Sequence, residues 1–198
     1  MISEIDRLLE SANMLFLKKS FLESIQIYEK ILQIEPTNLS ALNNKGYALS
    51  KTNDYQNAIN CYDKGLSINP NEKTLLINKI SSLRKMEILD SALDNCNKLL
   101  NETPNELIVM YHKLRILFAI KKYKHSLQIC DKILQIYPKN ADVLFDKASN
   151  LAHLNRNADC LKSLSLAIEI SKKFKIKAKK SKSFQGFSKD QNFLKLIE

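Results

Sequence analysis

The stretch Leu39–Glu72, LSALNNKGYALSKTNDYQNAINCYDKGLSINPNE, decides the fold. Leu42 and Leu49 stand seven residues apart, on one face of a helix, and Ile59 and Leu66 repeat that spacing in the second half. Pro70 closes the stretch. Proline lacks the amide hydrogen and its ring clashes with the preceding turn, so a helix stops before it. Moving outward, Pro36 lies 34 residues before Pro70, and Pro104 and Pro138 follow at the same interval, with no other proline in the chain. A fixed period of 20–50 residues means stacked copies of one unit. The stretch is therefore one of several helix pairs, and the prolines divide the chain into 5–38, 39–72, 73–106, 107–140 and 141–174 without insertions.

Three columns align across these units. Leu15, Leu49, Leu83, Leu117 and Leu151 share one position, and Leu8, Leu42, Leu76, Met110 and Leu144 share another, seven residues earlier. In the second helix Ile25, Ile59, Leu93, Leu127 and Leu161 are followed seven later by Leu32, Leu66, Leu100, Leu134 and Ile168. The third column, Ser24, Ala58, Ala92, Ser126 and Cys160, is small throughout. Small residues at a helix crossing let two backbones approach while large neighbours interlock. Neither helix buries its apolar stripe alone, so stacking must supply the core.

Leu42, Gly46, Tyr55, Ala58, Tyr62 and Pro70 stand in the spacing of a tetratricopeptide repeat (TPR), and the resemblance extends over residues 5–174. It implies an all-α fold, a right-handed solenoid or superhelix of antiparallel helix pairs. The first helix usually carries a small residue near its middle. Ala12, Gly46 and Ala148 fit that, whereas Ile80 and Leu114 are bulky, and Lys172 and Asn157 replace the proline and the aromatic of the fifth unit.

Composition limits the function. The chain has 198 residues and a net charge of +10, but nine lysines from Lys172 onward face only Asp190 and Glu198, a net of +7. The preceding 171 residues carry +3, so basicity is no argument for nucleic-acid binding by the repeats. Cys61, Cys96, Cys130 and Cys160 fall about one unit apart. Stacked units sit roughly 8–10 Å apart, too far for a disulfide, so these are expected to be reduced core residues. His112, His125 and His153 lack metal-ligand spacing, and no phosphate loop or nucleophile motif is present. An enzyme, a metal site and a cofactor are not expected. No secretory signal or membrane-length apolar run is visible, and a cytoplasmic location is the expectation.

The resemblance implies that the first helices line a concave groove where ligands bind. The groove face comprises Asp6, Leu9, Glu10, Asn13 and Phe16; Ser40, Asn43, Asn44, Tyr47 and Lys51; Thr74, Ile77, Asn78, Ser81, Arg84 and Lys85. It continues through Ile108, Tyr111, His112, Arg115 and Phe118, then Asp142, Phe145, Asp146, Ser149 and His153. An asparagine amide both donates and accepts, so Asn13, Asn44 and Asn78 are candidates to pair with an extended peptide, as in many TPR grooves. Tyr47, Arg84, Lys85, Tyr111, His112 and Arg115 complete the candidate ligand-binding set, the cations suiting carboxylates. A solvated polar face is the competing reading of both groups. The chaperone-binding type of TPR clamps a terminal carboxylate, but Leu9, Thr74 and Asn78 stand where its cations belong, so that clamp is incomplete. The expected activity is a protein–protein interaction scaffold that holds a peptide or partner protein, an acidic one included. RNA or an anionic surface bound by the lysine-rich tail is the alternative.

Without a proline at 172, the last helix is expected to run on through KKFKIKAKK to about Ser181. Phe184 and Phe187 then precede Asp190, an N-cap for a short helix holding Phe193, Leu194 and Ile197. A terminal repeat needs a cap, and residues 175–198 are read as that cap, with a basic arm as the rival. Truncation after Ser181 is expected to lower the melting temperature. An unchanged, monomeric truncated protein would exclude the cap.

Overall fold

The computed structural model describes residues 3–198. The first ten helices form five pairs: α1 (Glu4–Leu17) with α2 (Phe21–Ile34), α3 (Leu39–Lys51) with α4 (Tyr55–Ile68), α5 (Lys73–Lys85) with α6 (Leu89–Glu102), α7 (Leu107–Ala119) with α8 (Tyr123–Ile136), and α9 (Ala141–His153) with α10 (Asn157–Ile170). There follow α11 (Lys173–Lys180), a 3-10 segment (Lys182–Phe187) and α12 (Gln191–Ile197). No strand occurs among the described residues, so the expected all-α class of helix pairs is the observed one. The chain forms two compact units, one ending at His112 and the other running from Lys113 to Glu198.

Each unit has its own core. In the first, Ala12, Ile25, Tyr28, Ile31, Ala48, Leu49, Ala58, Tyr62 and Leu75 pack together. In the second, Leu127, Leu144, Phe145, Ala148, Leu151, Cys160 and Leu164 join Phe174, Ala178, Phe184, Phe187, Phe193 and Ile197. The small column is wholly enclosed: Ser24, Ala58, Ala92, Ser126 and Cys160 are each 0% exposed. Two of its serines remain satisfied, Ser24 donating to the Phe21 carbonyl at 2.7 Å and Ser126 to the Leu114 carbonyl at 2.8 Å. A buried hydroxyl without such a bond would cost about 1–3 kcal/mol.

The turns repeat as faithfully as the helices. Lys19, Asn53, Glu87, Lys121 and Asn155 all have positive φ, between 56° and 65°, and each follows the last by one unit. The next amide in each case reaches back to a leucine of the first helix: Ser20 to Leu15, Asp54 to Leu49, Ile88 to Leu83, Lys122 to Leu117 and Arg156 to Leu151. This reach-back bond closes the helix end, and the left-handed residue reverses the chain. Glycine is the usual occupant of such a position; here the side chain is tolerated because packing of the two helices fixes the turn.

The second helices also end alike. Glu35, Asn69, Thr103, Tyr137 and Ser171 each donate an amide to the carbonyl four residues back. Ser171 does so with no proline after it, and its extended backbone (φ −151°, ψ 115°) stops α10 at Ile170. The expectation of a continuous helix to Ser181 is therefore corrected. The turn carries Phe174 back onto Phe145, with ring centroids 5.2 Å apart, and buries Ala178 beside it. A straight extension would forfeit that burial, which is worth roughly 1.5–3 kcal/mol for one phenylalanine. Beyond α11, Phe184 lies 5.5 Å from Phe145 and 5.9 Å from Phe193. Asp190 caps α12 by accepting from the amides of Asn192 and Phe193, both at 2.9 Å.

Glu87→Gly relieves a left-handed residue at an exposed turn. It is expected to stabilise the protein by about 0.5–1 kcal/mol in urea unfolding, and Glu87→Ala to give no such gain.

Candidate functional site

In the first unit, α1, α3 and α5 lie side by side, because α2 is packed between α1 and α3 and α4 between α3 and α5. Their half-exposed polar residues form one hydrogen-bonded chain. Asn78 Nδ2 donates to Asn43 Oδ1 at 2.9 Å, Asn43 Nδ2 to Asn44 Oδ1 at 3.0 Å, and Asn44 Nδ2 to Asn13 Oδ1 at 3.0 Å. The chain ends on Tyr28, a buried residue of α2, whose hydroxyl donates to Asn13 Oδ1 at 2.6 Å. Burial pushes the Tyr28 phenol above its ordinary pKa, so it remains a neutral donor. Each amide has two N–H groups. The chain uses one on Asn43, Asn44 and Asn78 and leaves the second for an incoming group.

Beside Asn13 and Asn44 lies a cleft of about 240 Å³ that Phe16, Leu17, Tyr28 and Tyr47 also line. The Phe16 and Tyr47 rings stack with centroids 5.3 Å apart, and Lys51 Nζ sits 4.7 Å from the centre of the Tyr47 ring. Small-molecule sites usually measure roughly 300–1,000 Å³, so this volume suits a single side chain. Polar donors on one wall and aromatic surface on the other are what an extended peptide needs: partners for its backbone, and a seat for one residue.

The second unit carries a different arrangement. Arg115 Nε forms an ion pair with Asp146 Oδ2 at 3.6 Å. Burial raises the Asp146 carboxyl above the ordinary aspartate pKa, against the opposing pull of Arg115 and Lys177. Nearby, His153 stacks on Tyr123 at 4.4 Å and its Nε2 lies 3.2 Å from Ser183 Oγ, which ties the 3-10 segment to α9. The cysteines are buried thiols. Burial raises Cys61 and Cys130 and pushes Cys160 up to about 12, so these three stay protonated at neutral pH and are poor nucleophiles. No cluster of three metal-ligating side chains occurs among the described residues.

Of the candidate ligand residues, the fold brings together Asn13, Asn44 and Asn78, and places Tyr47 at the adjoining cleft. Arg84 and Lys85 lie at the end of α5, Tyr111 and His112 on α7, and Arg115 belongs to the second unit beside Asp146. Two members of the site were not among the candidates. Asn43 links Asn78 to Asn44, and Tyr28 anchors the chain from the buried side. The sequence signal for the first was the Asn43–Asn44 pair itself; a tyrosine on a packed face gave none.

Residues 40–72 match the family described as tetratricopeptide repeat. Similar solved structures carry the same fold. MamA from Desulfovibrio magneticus RS-1 superimposes with a TM-score of 0.80 at 16% identity, over 87% of this chain and 98% of that one. YrrB, described as a TPR protein with an unusual peptide-binding site, gives 0.73 at 19% identity, over 88% and 91%. A tetratricopeptide repeat protein from Parabacteroides merdae ATCC 43184 gives 0.72 at 16%, over 96% and 82%. No curated protein matches. The helix pairs, turns that recur every 34 residues and the matching segment give this chain the TPR fold, with one repeat, residues 40–72, matching the family itself.

The raised Asp146 value has a definite pH signature. Below the unfolded-state pKa both states are protonated and the carboxyl costs nothing; as pH rises through the higher folded value, ionisation penalises the folded state, and the penalty is complete above it. Asp146→Asn should therefore raise urea-unfolding stability at pH 7 and leave it unchanged near about pH 3. A variant less stable at pH 7 would show that the ion pair outweighs burial.

Proposed function

We propose that this chain is a protein-interaction scaffold, and that the exposed face of α1, α3 and α5 receives an extended segment of a partner protein. The observation that carries the reading is the chain of four asparagines with unspent N–H groups beside a cleft sized for one side chain. The amides are held in place before any ligand arrives, so less ordering entropy opposes binding. YrrB, whose description names a peptide-binding site, lends support by its similar fold. Asn13, Asn44, Asn78 and Tyr47 make the primary contacts in this reading. Arg84, Lys85, Tyr111 and His112 extend that surface within the first unit, and the cations favour acidic partners. No helix among the described residues is long and apolar enough to cross a membrane, and no reaction is proposed. Residues 5–174 form the repeat array and residues 175–198 its cap, on the grounds that Phe184, Phe187 and Phe193 cover the last helix pair.

The test compares wild type with Asn44→Ala/Asn78→Ala and with Tyr47→Ala by affinity capture and mass spectrometry. Loss of the amide bonds is expected to lower stability by about 0.5–1.5 kcal/mol each, leaving the variants folded. Partners captured by wild type should be lost from both variants, and the captured segment should bind as an isolated peptide. Retention of every partner at wild-type level would place binding elsewhere on the molecule.

A further inference from the structure

The second unit presents a surface that partner binding in the first does not use. Between Lys172 and Lys189 the chain has eight lysines and no acidic residue. Helix α11 turns Phe174 and Ala178 into the core. Its opposite face centres on Ile176, which is 61% exposed. Lys172, Lys173, Lys179 and Lys180 stand at four and three residues before it and three and four after, the positions adjacent to it on a helix surface. An exposed isoleucine thus sits inside a ring of four exposed lysines. Helix formation alone does not require this, and solvation argues against the isoleucine.

Two of the unit's acids temper the charge. Asp142 lies 3.6 Å from Lys173, and Asp146 faces Lys177, which itself covers the Phe145 and Phe174 rings at 4.3 and 5.3 Å. Among the described residues, none forms an ion pair with Lys172, Lys179, Lys180 or Lys182. The aromatics of the segment, Phe174, Phe184, Phe187 and Phe193, are all buried. Single-stranded nucleic acid is held by stacking on exposed rings, and this face offers none. An anionic bilayer asks for something else: lysines at the headgroup level and an aliphatic side chain to enter the acyl boundary.

We propose that the outer face of α11 docks on an anionic lipid surface, with Ile176 inserted and Lys172, Lys173, Lys179 and Lys180 on the headgroups. The packed phenylalanines present the helix already folded, so binding orders little of the chain. The protein would then join its partner to a membrane as a peripheral protein.

The experiment is co-sedimentation of the full chain with large unilamellar vesicles of phosphatidylcholine alone or with about 30% phosphatidylserine, electrostatic attraction acting only on the second. Binding is expected to the anionic vesicles only, and to fall at least tenfold when salt is raised to about 0.5 M. Lys179→Glu/Lys180→Glu should abolish it, and Ile176→Ser should weaken it several-fold, with circular-dichroism melts verifying that both variants remain folded. Equal binding to neutral vesicles, no binding to either, or variants that bind like wild type would overturn the proposal. So would tighter capture of a fluorescent RNA duplex of about 20 base pairs, which would reassign the surface to nucleic acid.

Discussion

Everything in this structure depends on how closely the two helices of a pair approach. The five residues at their crossing are serine, alanine or cysteine, and none has any exposed surface. The tolerance is narrow, as the second pair illustrates from the other side of the contact. A Cβ at Gly46 would lie 2.4 Å from Cε1 of Tyr62, far inside van der Waals contact. Tyr62 is itself fully enclosed, and burial pushes its phenol up to about 12. Its hydroxyl lies 3.3 Å from Ser50 Oγ, which is 3.0 Å from Ser82 Oγ, so the polar tip is satisfied inside the stack. Close approach and polar satisfaction are met at the same point.

That approach also governs the turns. Lysine, asparagine and glutamate occupy left-handed positions that favour glycine, and they do so at the same place in every unit. The strain is offset in part by the reach-back bonds to Leu15, Leu49, Leu83, Leu117 and Leu151, which satisfy carbonyls at the end of each first helix. A repeated ion pair marks the second interface, between one unit and the next. Lys45 pairs with Glu29, Lys79 with Asp63 and Lys147 with Asp131, each spanning sixteen residues. Such exposed pairs are worth about 0–1 kcal/mol.

The polar face shows how a binding surface grows from a packing scheme. The side of α1, α3 and α5 turned away from the core is free to carry polar residues, yet its asparagines bond to one another before they meet any ligand. The buried Tyr28 fixes the end of the chain, which couples the site to the core of the first unit. Mutation of a core residue that carries no ligand contact can therefore disturb the surface.

The sequence alone determined the helix pairs, their period and the apolar columns, because burial on a helix face and the proline stop are written in local spacing. It also placed Asn44 and Asn78 on one face, since a 34-residue period carries equivalent positions with it, and put Asn13 nearby in the preceding repeat. It misjudged the end of α10, where the proline rule implied continuation; the turn at Ser171 is set by the burial of Phe174 against Phe145, a contact between residues 29 apart. The bond from Asn78 to Asn43, the role of Tyr28, the division at His112 and the pairing of Arg115 with Asp146 were likewise decided only by tertiary structure. Periodicity gives the face on which a side chain stands, but its partner depends on distances across helices, and those exist only once the chain has packed.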